Sequence, residues 1–129
     1  MTVALTCIGL LGLLLFALGF AVSMTRGRSN VVVGHPDDPT DALHKIVRAH
    51  GNTAEYAAML AILMLAVASQ GPATWALWCM GLATLGRYLI AAGIVASPTL
   101  EKPHPLRFTG ALLTYLGGLG LSVALLLSL

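Results

Sequence analysis

Four apolar stretches separated by polar connections organise the 129-residue chain. The first runs from Val3 to Met24 without a charge, the third from Trp75 to Ala96 interrupted only by Arg87, and the fourth from Phe108 to Leu129, again uncharged. Each is long enough to cross about 30 Å of hydrocarbon at a rise of about 1.5 Å per residue. The second, Ala57 to Ser69, is too short to span alone. It must extend backward through "RAHGNTAEY", where Arg48, Asn52 and Glu55 sit at the mouth of the apolar run. Gly34, Pro36 and Pro39 break the preceding connection, and Thr40 or Asp41 can cap a helix by accepting its otherwise unpaired N–H groups. The pattern therefore predicts a second helix from about Ala42 to Ser69. "SQGPAT" reads as a tight turn, with Pro72 in the first turn of the third helix. "SPTLEKPHP" ends that helix and precedes the fourth. The expected fold is all-α: an integral membrane protein, one domain over residues 1–129, with four antiparallel transmembrane helices in a bundle.

Composition supports lipid as the solvent. The chain is 57% hydrophobic and 9% charged, against about 25% charged for a soluble domain. A net charge of +2 and the absence of a basic stripe with interleaved aromatics leave nucleic-acid binding without support. Cys7 and Cys79 make no disulfide framework, and no pair among His35, His44 and His104 has metal-ligand spacing, so no metal is expected. The first segment lacks a basic stretch ahead of its apolar run and reads as a retained helix. Arg26, Arg28, Lys45 and Arg48 lie between the first two segments, Lys102 and Arg107 between the last two, and no charge lies in the middle turn. This asymmetry places both termini on the non-cytoplasmic side. Trp75 and Trp78 are expected in an interfacial belt. Gly117, Gly118 and Gly120 are expected at close helix contacts. Met59, Met64, Met80 and Tyr115 are read as packing residues, and the loop histidines as solvated.

At about 100° per residue, Arg48, Asn52, Glu55 and Tyr56 share one sector of the second helix, while His50 points about 160° away from Arg48. A charge near mid-bilayer costs at least ~2.5 kcal/mol, so this stripe should face other helices or a wet cavity. Arg87 should reach a similar depth from the third helix, and Arg107 stands at the mouth of the fourth. One carboxylate, an amide and three arginines suit a small anionic ligand that also carries an amine; the other reading is a polar network that pins helix packing. A small multidrug exporter would need a carboxylate in the first helix, which has none.

"RAHGNTAEY" resembles the second-helix signature of the MAPEG family, the membrane-associated proteins of eicosanoid and glutathione metabolism: Arg48, then Asn52, Glu55 and Tyr56 in its spacing. "GRYLIAAG" is similar to its third-helix arginine motif at Arg87 and Gly93, and Arg107 matches the arginine before its fourth helix. The resemblance covers essentially the whole chain and is to a bacterial-type member of an inner membrane. It implies a homotrimer binding glutathione between neighbouring subunits and acting as a glutathione transferase or peroxidase on lipophilic small molecules that arrive through the membrane lipid. The alternative is a non-catalytic binding or structural protein of the same fold. Carried over by position, Arg48, Asn52, Glu55 and Tyr56 would hold the tripeptide, Arg87 would support the pocket, Arg28 would add a contact, and Arg107 would be catalytic by stabilising the thiolate. A fixed cation lowers a thiol's pKa, and arginine forks match carboxylates. Ile90 and Ile94 stand where catalytic members carry tyrosines.

Overall fold

Each apolar stretch is a helix in the computed structural model, which describes residues 1–128. The helices are α1 (Thr2–Ser29), α2 (Ala42–Ser69), α3 (Thr74–Ala96) and α4 (Pro105–Leu126), each long and apolar enough to cross a membrane. Leu129, the last residue of the expected fourth span, lies outside the described residues. The second helix has its expected bounds because Asp41 caps it: the carboxylate accepts from His44 N–H at 3.0 Å. α1 runs past Met24 through both of its arginines and stops at Asn30, which adopts a left-handed φ of 53°. Pro72 is not in α3, as the turn had suggested. Gly71 makes the reversal at φ 68°, and α3 begins only at Thr74. The proline in a first helical turn is Pro105 of α4, where its missing N–H has no intrahelical role to lose.

The apolar clusters show the antiparallel order. At one end Ala4 and Leu11 from the start of α1 meet Met64 and Val67 from the end of α2, Ala76 and Met80 from the start of α3, and Leu121 near the end of α4. At the other end Leu18, Ala49, Ile90 and Ile94 form a smaller cluster. The two long connections meet at that second end, where Leu100 N–H donates to Pro39 O at 3.0 Å and Lys45 Nζ to Ser97 O at 3.2 Å. Helices α2 and α3 are central. α1 packs on both, α4 packs on both from elsewhere, and α1 and α4 do not touch among the described residues.

The most extensive contact is α3 on α4, and glycine makes it possible. A Cβ on Gly86 would lie 2.7 Å from Gly110 O, one on Gly110 2.7 Å from Gly86 O, one on Gly117 2.7 Å from Cys79 O, and one on Gly93 2.8 Å from Arg107 N. No side chain fits, so the backbones touch. In lipid, where helix association has no hydrophobic drive, such contact supplies dispersion attraction. Of the three glycines expected at packing sites, Gly117 is in this seam and Gly120 lies against Cys79 Sγ, whereas Gly118 has only an ordinary 3.7 Å neighbour, Leu60 Cδ2. Buried Thr53, Thr84 and Thr114 each bond the carbonyl four residues back (Ala49, Met80 and Gly110), which satisfies hydroxyls that lipid could not. Met64 and Met80 are fully buried while Met59 faces outward, and both tryptophans are exposed at the start of α3.

Candidate functional site

The cap at Asp41 fixes the register of α2, and with it a stripe at four-residue spacing: His44, Arg48, Asn52 and Tyr56. All four line one cavity of about 530 Å³. Arg87, Ile90 and Ile94 enter it from α3, Arg107, Phe108, Ala111 and Tyr115 from α4, and Leu100, Pro103 and His104 from the connection before α4. Five of the seven expected site residues therefore converge, from three helices, at the end of the bundle where the long connections meet.

Arg87 organises the interior of this site. It is 1% exposed, and its Nη2 donates to both oxygens of Asn52, to the backbone O at 2.8 Å and to Oδ1 at 2.5 Å. Its guanidinium carbon lies 4.7 Å from the centroid of the Tyr56 ring, a cation–π distance. A buried cation is tolerated here because it has hydrogen bonds and an aromatic face, although its Nε has no partner. The same bonds orient the Asn52 amide, consuming Oδ1 and leaving Nδ2 to donate. Arg107 is half-buried and pins the connection before it: Nη1 donates to Leu100 O and Lys102 O, each at 3.2 Å. Its Nη2 and Nε make no hydrogen bond among the described residues. Arg48 is exposed at the rim.

Two expected residues are elsewhere. Glu55 is exposed and does not line the cavity. It borders an adjoining groove of about 510 Å³ between α2 and α4, lined by Met59, Leu60, Leu63 and Leu119. No carboxylate pairs with an arginine within 4.0 Å among the described residues, so Glu55 and Arg48 form no ion pair within one protomer. One residue of rotation from Tyr56 turns Glu55 out of the cavity. Arg28 is exposed at the end of α1 and lines no part of the site. α1 has no contact with α4, and the connection before α4 forms part of the cavity wall. The arginine of that helix with a structural contact is Arg26, whose Nη2 donates to Gly34 O at 3.3 Å.

Tyr115 corrects a sequence expectation. It is not core: it is 53% exposed, because α4 buries its glycine face instead. It forms a wall shared by cavity and groove, its ring 6.3 Å from that of Tyr56. His44 and His104 line the cavity, though the sequence reading left both in solvent. For His44 the signal was present, since it stands four residues before Arg48 on the same face. His50 points to α1, where its Nε2 would lie 3.3 Å from a Cβ on Gly19.

The lining carries three arginines and two histidines and no Asp or Glu, so its potential is positive. Fold and site together define an integral membrane protein of four antiparallel spans, with a cationic cavity at one end that adjoins a largely apolar groove on the protomer surface. The MAPEG family model matches residues 4–127, and the chain belongs to that family of membrane proteins of glutathione and eicosanoid metabolism. No curated protein and no solved structure matches the chain.

Proposed function

We propose that the cavity binds glutathione and that the protein is a membrane-bound glutathione transferase or peroxidase for lipophilic electrophiles. The observation that carries this reading is the convergence of Arg48, Asn52, Tyr56, Arg87 and Arg107 on one cavity, whose volume falls within the range of about 300–1,000 Å³ usual for small-molecule sites. Arg48 at the rim meets a carboxylate of the tripeptide, and Asn52, oriented by Arg87, donates its amide N–H to the peptide backbone. Glu55 meets the ammonium from the groove side, or from a neighbouring subunit. Arg107 faces the sulfur with Nη2 and Nε. A thiolate is the nucleophile, and a fixed cation beside it favours loss of the thiol proton to water. The sulfur then forms a bond to the electrophilic carbon, or to a peroxide oxygen, as the leaving group departs. Ile90 and Ile94 offer no hydroxyl, so Arg107 stabilises the thiolate without help from α3. The electrophile enters from lipid along the α2–α4 groove, past Tyr56 and Tyr115.

The assembly is a homotrimer in this reading, because Glu55 and Arg48 are left facing outward from the protomer and need cover within a membrane. The termini lie on the non-cytoplasmic side of a bacterial inner membrane, which the distribution of Arg and Lys supports. A non-catalytic protein of the same fold is the second reading; the observation in its favour is that Arg87 and Asn52 already bond each other across the helices without a ligand.

Calorimetric titration of the purified protein with glutathione tests the proposal. Saturable binding that Asn52→Leu abolishes supports it. A wild-type protein that takes up no glutathione leaves the stripe as a packing network.

A further inference from the structure

We infer that His104 is a ligand-binding residue of the cavity, donating Nε2–H to an anionic group of the bound molecule. The inference rests on the proposal that the cavity takes glutathione. His104 is the N-cap residue of α4, yet its side chain makes no capping hydrogen bond, so the imidazole has no local structural task. It lines the cavity. Its Nδ1 is sealed from solvent and has no partner. Nε2 is also without a hydrogen bond among the described residues, but it is not sealed, which makes it the ring nitrogen available to the cavity.

The sealed nitrogen decides the tautomer. A neutral imidazole carries its proton on one nitrogen. With the proton on Nδ1, a buried N–H would be left with no acceptor, and orphaned buried N–H groups are the rarer kind of defect. With the proton on Nε2, only a lone pair is buried and the donor is turned to the cavity. The charged and titratable groups that share this cavity are His44, Arg48 and Tyr56 from α2, Arg87 from α3, and Arg107 and Tyr115 from α4. The lining supplies no carboxylate, and Nε2 bonds no tyrosine hydroxyl or carbonyl among the described residues, so the acceptor assigned to it is the ligand. Glutathione brings two carboxylates and a sulfur. Arg107 is three residues on, tied to the same connection, so the ligand groups within reach are those at the α4 side of the cavity.

Two isosteric substitutions separate the nitrogens. The amide nitrogen of glutamine falls near the place of Nε2, that of asparagine near Nδ1. His104→Gln should bind glutathione within about threefold of wild type. His104→Asn should bind about tenfold or more weakly, the scale of one lost hydrogen bond to a charged group. Asparagine is a favoured N-cap residue, so that loss would not come from a frayed α4. Nitrogen-15 spectra of the histidine-labelled full chain without ligand should show the Nε2–H tautomer for His104. An Nδ1–H tautomer, or an asparagine variant that binds like wild type, overturns the inference while leaving the proposed function intact. A wild type that binds no glutathione overturns the binding role together with the functional reading, and the tautomer spectrum shows separately whether the geometric argument holds.

Discussion

Helix α4 has two unlike neighbours. Against α3 it packs backbone to backbone, through Gly86, Gly93, Gly110 and Gly117, with no room for a single methyl. Against α2 it stands away, leaving the cationic cavity and the apolar groove, with Tyr56 and Tyr115 between them. The first contact uses glycines seven residues apart on each helix, which fall on one face. The second uses Arg, Asn and Tyr, whose bulk and polarity hold helices apart. Rigidity on one side of α4 allows a cavity on the other. In lipid, contact rather than water exclusion holds helices together, and the seam supplies that contact for α4 where the cavity does not.

The largest expected effect comes from the seam. Gly110→Ala places a Cβ 2.7 Å from Gly86 O and from Ile90 N, and neither backbone atom can turn aside. A loss of about 1–3 kcal/mol is expected, measured by reversible unfolding in SDS, with Gly86→Ala behaving alike. Gly118→Ala on the same helix, with its nearest neighbour at 3.7 Å, should be neutral or slightly stabilising. Equal losses at Gly110 and Gly118 would mean that the two sides of α4 are packed alike.

Arg87→Met comes next. It keeps the apolar stem but strands the side-chain oxygen of Asn52, whose backbone oxygen still has its intrahelical partner, at about 1–2 kcal/mol in the same assay. It should also lower glutathione affinity, because Asn52 is released. Unchanged affinity with reduced stability would assign Arg87 to packing alone.

A smaller effect is expected at Glu55. Glu55→Gln removes the charge and keeps the shape. With no ion pair in the protomer, its effect on unfolding should stay within about 1 kcal/mol, while glutathione binds more weakly at every pH. A large loss of trimer, read by crosslinking in native membranes, would locate its partner on a neighbouring subunit.

The smallest effect lies in the connection before α2. The Thr40 backbone N–H, and then its hydroxyl, hold the exposed Asp38 carboxylate below its ordinary value of 3.8. A lowered value stabilises the folded turn above the ordinary pKa and is lost as pH falls through the folded one. Protection of the Thr40 amide from hydrogen exchange, taken relative to the intrinsic rate at each pH, should fall below about pH 4 in the wild type and lose that dependence in Asp38→Asn.

Much of this contrast was legible in the chain, but unevenly. The bounds of α2 followed from local chemistry, since Asp41 is a cap and Gly71 and Pro72 break the helix beyond Ser69. The polar stripe followed from helical periodicity, and Arg87 from being the one charge in its span. The seam was harder to see. The clustered Gly117, Gly118 and Gly120 drew attention, yet the informative signal was the seven-residue interval that links Gly86 to Gly93 and Gly110 to Gly117. Which glycines meet depends on the relative rotation of two helices, which neither helix encodes alone. The same reason explains Tyr115, whose face of α4 could not be assigned until the glycine face was. Glu55 and Arg28 lie outside the cavity, a consequence of how the helices rotate and pack that neither residue's local sequence encodes. His104 lies outside any periodic element, and only the path of the connection brings it to the cavity.

The central claim is that the looser side of α4 holds glutathione as a thiolate beside Arg107. Its most direct test is the ultraviolet absorbance of the thiolate during titration of the purified protein with glutathione at neutral pH, repeated with Arg107→Met. Wild type should develop a saturable thiolate band in proportion to bound ligand. The variant should bind comparably but show the band only as pH approaches about 8.5, the range of an unperturbed thiol. Bound glutathione with no thiolate band in the wild type, or an identical band in the variant, would contradict the claim.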